Sequence, residues 1–261
     1  MNLFMSFISF VFGLIFGSFL NVCIHRMPQE ESVVSPGSHC PHCKTPIALT
    51  DNIPLISFIL LGGKCRHCHK PISPRYFLVE LASGFLWLAV WLMYGPTPMF
   101  VPTVFLLSVL MAISVTDFET GLIPDKLSLP GIAVGLVIAG LHPPMLAADS
   151  WQQALIRSGL GILAGGGSLL LIGLFGNMVF RKETMGGGDI KLMAMLGAFL
   201  GMKKTFMVLF LGPLIALPYA LYTKFSKKQE TIPLGPFLAI AGAWVFLHAE
   251  SIAKYIPLFN W

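Results

Sequence analysis

Apolar residues in this chain run in long blocks rather than alternating with polar ones. Blocks approaching the length that crosses roughly 30 Å of hydrocarbon cover Leu3 to Ile24, Phe77 to Tyr94, Met99 to Thr116, Leu127 to Leu141, Ala154 to Phe180, Ile190 to Met202, Thr205 to Tyr222 and Pro233 to His248. Backbone polar groups in lipid must be satisfied within the chain, so these blocks are helices rather than open strands. The pattern predicts an all-α, polytopic membrane protein of about eight transmembrane helices.

Two blocks are short. The fourth has about fifteen residues and the sixth about thirteen, near 22 and 20 Å at 1.5 Å rise per residue, which is less than the hydrocarbon thickness. Each follows a segment that carries an aspartate, so those segments are expected to dip below the interface or open into a wet cavity, where irregular backbone is tolerated. Glycines four apart, Gly13 with Gly17, Gly131 with Gly135, Gly161 with Gly165 and Gly197 with Gly201, predict close helix packing. Pro213 and Pro218 are expected to kink the seventh block. Such packing patterns leave the oligomeric state undetermined.

Composition agrees with the pattern: 55% of residues are hydrophobic and 11% charged, with a mean hydropathy of +0.77, whereas a soluble domain carries about a quarter charged residues. Of the 17 basic residues, 13, from Arg26 to Lys228 and including Lys182, fall on the side that holds the loop after the first block. Arg157, Lys203, Lys204 and Lys254 fall on the other. The positive-inside rule places the first group in the cytoplasm, and the net charge of +5 then calls for no nucleic-acid partner. No basic residue precedes the first block and Arg26 follows it, the reverse of a secretory leader, so this block is expected to remain as an anchor.

Two carboxylates stand out against this apolar background. Asp117 lies in Thr-Asp-Phe-Glu-Thr-Gly-Leu-Ile-Pro-Asp and Asp189 in Met-Gly-Gly-Gly-Asp-Ile-Lys. An ionisable group at the edge of hydrocarbon is a functional-site candidate by default. The fourth and fifth spans, an even number, separate the two, so both face one side whichever way the protein is inserted. Two carboxylates close enough to share a proton are the machinery of aspartic proteolysis, one activating water as base and the other donating as acid. Gly186, Gly187 and Gly188 would let a peptide backbone approach closely. Other roles compete at these positions: a helix N-cap for Asp189 and Asp125, a solvated or supporting group for Glu119, and either a snorkelling side chain or a carboxylate partner for Lys191.

The loop between the first two spans carries Cys40-Pro-His-Cys43 and Cys65-Arg-His-Cys68. Paired C-x2-C knuckles are a tetrahedral zinc signature, and four thiolates leave no open position, so the Zn²⁺ would be structural. Disulfides are the alternative, disfavoured in a reducing compartment. His39, His42, His67 and His69 flank the thiols as less suitable ligands. Cys23, within the first span, reads as a packing residue.

These motifs together resemble the bacterial type IV prepilin peptidases (leader peptidase/N-methyltransferase), over nearly the full chain. Gly17-Ser18-Phe19-Leu20-Asn21-Val22-Cys23-Ile24-His25-Arg26, the paired knuckles, Arg75-Tyr76-Phe77-Leu78-Val79-Glu80, the run from Asp117 to Asp125 and Gly186-x-Gly188-Asp189-x-Lys191 follow in that family's order. The last is the G-x-G-D motif of intramembrane aspartyl proteases. The resemblance implies a bifunctional enzyme of the bacterial inner membrane that removes the leader of type IV prepilins or type II secretion pseudopilins on the cytoplasmic side. It then methylates the new amine, with S-adenosylmethionine as donor. Asp117 and Asp189 take the places of the two catalytic aspartates. Asn21, Arg75 and Glu80 are candidates for the methyl-transfer surface. An N-terminal domain over residues 1–96, with the zinc loop at about 26–76, would precede a peptidase domain over 97–261.

Two other classes fit parts of the pattern. A cation or proton transporter would also use paired intramembrane aspartates, with the zinc loop as a docking module, although no inverted repeat is visible and the knuckles have no place in conduction. A non-enzymatic assembly platform held by zinc would be indifferent to aspartate replacement.

Overall fold

The computed structural model describes residues 2–181, 184–227 and 232–255. Lys182 and Lys228, two of the basic residues counted for topology, lie outside the described residues. The chain divides into two compact units, Met1–Ser108 and Val109–Trp261, and no strand occurs among the described residues.

In the first unit, α1 (Leu3–Arg26) and α3 (Pro74–Tyr94) pack side by side. They are antiparallel: Ser9 near the start of α1 donates to the Trp87 carbonyl at 3.0 Å, and Asn21 near its end donates to the Tyr76 carbonyl at 2.9 Å. Between these bonds Gly13 and Gly17 face Ser83, Gly84 and Glu80 so closely that any side chain would collide with the α3 backbone, the small-residue packing expected in lipid. Cys23 is buried in this contact, as its apolar surroundings predict. A short helix, α2 (Ile56–Leu60), lies in the intervening loop.

α4 (Phe100–Thr120) crosses the division between the units. The second unit continues with α5 (Asp125–Leu141), α6 (Trp151–Ile162), a π turn over Leu163–Gly167, α7 (Ser168–Phe180), α8 (Gly187–Tyr222) and α9 (Gly235–Tyr255). Among the described residues five runs are long and apolar enough to cross a membrane: Leu3–Gln29, Pro74–Tyr94, Phe100–Thr120, Trp151–Phe180 and Gly187–Ser226. Every predicted block is helical, and the sixth and seventh form one hydrogen-bonded run that breaks at Gly201, where φ is +70°. The break falls beside the division between the sixth and seventh blocks, and Pro213 and Pro218 sit within the helical part of the run that follows it. It also gives Gly201 a second role, a backbone angle that side-chain-bearing residues rarely adopt.

The first half of α8 explains how a helix of about 20 Å can serve here. Residues 192–201 are all buried, with α5, α6 and α9 packed around them. This half-helix meets protein rather than lipid, so it need not match the bilayer. Gly161 of α6 and Gly197 of α8 touch backbone to backbone, each filling the space a side chain on the other would need. Ser158, fully buried, donates to the Ala198 carbonyl at 2.9 Å. By contrast α7 leaves Leu171, Phe175, Met178 and Phe180 exposed, an apolar surface suited to lipid.

Candidate active site and metal centre

Asp117 occupies the last turn of α4 and is 5% exposed. The dipole of α4 gives an anion no support at that end. Support comes instead from α9, whose first residue, Gly235, donates its backbone N–H to Asp117 Oδ2 at 3.0 Å. A Cβ on Gly235 would stand 2.6 Å from that oxygen and 2.9 Å from Ile123 Cδ1, so the approach depends on glycine. Phe118, Tyr219 and Phe237 stack in series, with ring centroids 5.9 and 5.5 Å apart, and tie the start of α9 to α4 and α8 beside the carboxylate.

Asp189 is the third residue of α8 and half-buried. The N-cap is Gly186 and the helix start has no side-chain cap, which corrects the capping alternative for Asp189. Its Oδ1 is buried with no hydrogen-bond partner, and the side chain lies near enough to Asp117 to feel its charge. Ile123 is wedged between the starts of α8 and α9, 2.8 Å from where a Cβ of Gly188 would be and 2.9 Å from that of Gly235. The three glycines are therefore not equivalent. Gly188 makes room for Ile123, Gly186 for Asp189 itself, and Gly187 alone borders open space.

Lys191 does not join the two aspartates. Its ammonium bonds both oxygens of Asp125, at 2.7 and 2.6 Å. Asp125 is not an N-cap, since Pro124 holds that position and Asp125 begins α5. The pair fastens the start of α5 to the start of α8 beside the glycine loop. Glu119 is exposed.

In the first unit, Cys40, Cys43, Cys65 and Cys68 place all four sulfurs within 4.8 Å of one another. None is oxidised to a disulfide. The Cys40–Cys68 and Cys43–Cys65 sulfurs are 3.8 and 3.9 Å apart, and a tetrahedron with Zn–S bonds of about 2.3 Å has an edge of about 3.8 Å. The donor set therefore fits Zn²⁺. Hydrogen bonds from Thr45 pull the Cys43 thiol down to about 6. The backbone at Cys68 and His67 lowers Cys65. Cys68 is pushed up to about 11, because burial and the three neighbouring thiols outweigh the backbone bond from Lys70. A divalent cation resolves this crowding by stabilising all four thiolates.

Sequence reasoning found the cysteines but missed the repeat that contains them. Residues 38–47 and 63–72 share Cys-x-His-Cys-x-x-Pro-Ile, and the two copies fold alike. Cys40 N–H bonds the Thr45 carbonyl as Cys65 N–H bonds that of Lys70, and Lys44 and His69 take matching positive φ values of 58° and 56°. His39 turns to the Gly37 carbonyl, and the four histidines stay outside the sulfur cluster. Arg66 of the second copy forms a two-pronged ion pair with Asp51, at 2.7 and 2.6 Å, which holds that carboxyl below its usual range. Arg26, read from sequence only as a topological charge, is buried and donates to the carbonyls of Ser32, Pro36 and Gly37, shaping the entry to the first copy.

The methyl-transfer candidates cluster where α1 meets the start of α3. Glu80 Oε2 accepts from Leu55 N–H at 2.9 Å and also engages Ser18. Asn21 Oδ1 is buried without a partner, while Arg75 lies over the Tyr76 ring at 4.7 Å.

Residues 11–94 match the Bacterial Peptidase A24 N-terminal domain and residues 104–221 match the Type IV leader peptidase family. Proteins named prepilin leader peptidase/N-methyltransferase are similar along the chain. That of Aeromonas hydrophila is 35% identical over 94% of this chain and 91% of its own length. That of Neisseria gonorrhoeae is 33% identical over 96% and 92%. That of Myxococcus xanthus (strain DK1622) is 41% identical over 73% of this chain and 55% of its own. No solved structure matches this chain.

Proposed function

Because the chain belongs to the type IV leader peptidase family, we propose that its second unit removes the leader of a prepilin or pseudopilin with Asp117 and Asp189 as the catalytic pair. The first unit then carries the N-methylation, and both reactions occur at the cytoplasmic face of the bacterial inner membrane. The observation that carries this reading is the convergence of the buried Asp117 at the end of α4 and the half-buried Asp189 at the start of α8: Gly235, whose amide meets Asp117, and Gly188, next to Asp189, pack against the same Ile123. The transporter and platform readings are set aside on the family match.

Asp117 accepts the α9 amide through Oδ2, a fixed donor that suits the base of the pair. Asp189 Oδ1, lacking a protein donor, is the oxygen suited to carry the shared proton. A water between them loses a proton to Asp117 as its oxygen attacks the scissile carbonyl, and Asp189 protonates the carbonyl oxygen. Collapse of the resulting diol returns a hydroxyl proton to Asp189 and breaks the C–N bond, with the proton held by Asp117 passing to the leaving amine, so both acids regain their starting states. Gly187, bordering open space, is the place in the loop where an extended substrate backbone can lie.

Zn²⁺ would be held by Cys40, Cys43, Cys65 and Cys68, where it supplies structural cross-linking and no open coordination site. S-adenosylmethionine would supply the methyl group. Glu80 and Asn21 Oδ1 offer acceptors that suit an amino group, either of that donor or of the new pilin terminus, and Arg75 lies beside them as the third candidate. The test is to incubate the purified protein with a prepilin-like substrate and the methyl donor and to weigh the products. Leader removal and one added methyl are expected from the native protein. Cleavage that survives in both Asp117→Asn and Asp189→Asn contradicts the assignment.

A further inference from the structure

The segment between the two cysteine knuckles carries its large apolar side chains on the outside. Leu49, Ile53, Ile56, Ile59 and Leu60 are 89, 45, 54, 64 and 80% exposed, a concentration that marks an interaction surface. The opposite face of the same segment is fixed in place. Ser57 is buried, accepts from Ile53 N–H at 3.1 Å and donates to the Thr50 carbonyl at 3.0 Å. Phe58 packs on Phe77 with centroids 5.4 Å apart. Leu55, at a φ of +60°, aims its N–H at Glu80.

Those anchors identify the occupant. Phe77 and Glu80 lie in the first two turns of α3, a helix apolar and long enough to cross a membrane, and Leu78 between them is exposed. The outer face of α2 therefore continues a lipid-facing surface at the point where the chain enters the bilayer. Lys64 and Lys70 are exposed just beyond it, while the acidic Asp51 is neutralised by Arg66. Basic groups beside an apolar face complement anionic phospholipid.

We propose that residues 49–60 lie in the membrane interface, with Leu49, Ile53, Ile56, Ile59 and Leu60 inserted among the acyl chains and Lys64 and Lys70 at the headgroups. The insertion holds the zinc knuckles against the membrane surface.

The test uses the full chain in nanodiscs of phosphatidylethanolamine and phosphatidylglycerol, with the photoreactive residue p-benzoylphenylalanine at position 59 or 60. Exposed position 42, on the first knuckle, is the control. Irradiation followed by mass spectrometry is expected to give lipid adducts at 59 and 60 several-fold above position 42, with lower yield in discs of phosphatidylcholine alone. Bound zinc, measured on the same samples, reports folding, and position 56 replaces any that fails it. Adducts no more abundant than at position 42 would overturn the proposal. So would crosslinks to a second copy of the chain or to added prepilin substrate in place of lipid.

Discussion

Gly235 donates its backbone N–H to the Asp117 carboxylate across 118 residues of sequence, at 3.0 Å. This contact places the start of α9 against one of the two acids and gives the carboxylate a fixed donor that moves with a helix rather than with a loop. A helix N-terminus is a natural seat for negative charge.

The contact predicts that Gly235→Ala damages cleavage without touching the substrate. A methyl group there would stand 2.6 Å from Asp117 Oδ2, and a displacement of about 1 Å in a catalytic group costs roughly a hundredfold in rate. The loss should appear in kcat with little change in KM, and methylation of a precleaved substrate should persist.

Asp125 should prove dispensable for the chemistry. Its ion pair with Lys191 is partly exposed, with side chains 53% and 38% accessible, so removing it with Asp125→Asn should lower stability by no more than about 1 kcal/mol. Cleavage assays on this variant are expected to stay within a few-fold of the native protein. An equal loss in Asp125→Asn and Asp117→Asn would put both in the machinery.

The zinc site predicts a separation of the two activities. Cys40→Ser or Cys65→Ser should each abolish stoichiometric zinc, measured by metal analysis, because removing one of four thiolates breaks a closed tetrahedral set. Methyl transfer should fall with the metal, while leader cleavage should be retained.

The α6–α8 contact predicts a stability difference between neighbouring glycines. A methyl group on Gly161 would overlap the Gly197 carbonyl, whereas Gly159 faces open space. Gly161→Ala should destabilise the protein by about 1–3 kcal/mol through overpacking, seen as a lower thermal midpoint in detergent, and Gly159→Ala should not.

Much of this was legible in the chain because both sites rest on side chains with strong chemical identity. Carboxylates in an apolar background and thiols in paired knuckles announce themselves, and blocks of apolar residues mark the helices. Less legible was anything that rests on backbone. Gly235 contributes only an amide, and nothing in Pro233-Leu234-Gly235-Pro236 announces that this amide reaches Asp117. The division between the sixth and seventh blocks falls beside the break at Gly201, but the positive φ that makes the break is a backbone property that the apolar pattern does not carry. Asp125 looked like a cap because it follows a proline, but Pro124 takes the N-cap position and frees Asp125 to reach Lys191. The knuckle repeat, Cys-x-His-Cys-x-x-Pro-Ile at 40–47 and again at 65–72, is legible in the letters.

The claim on which the rest depends is that Asp117 and Asp189 act as one unit. The most direct measurement compares prepilin cleavage in Asp117→Asn, Asp189→Asn and the double variant, each shown to retain methyl transfer. Residues that act together are non-additive, so each single change should cost about a thousandfold or more and the double should be no worse than either. A single variant that still cleaves at near-native rate, or a double variant whose loss is the product of the two, would contradict the account.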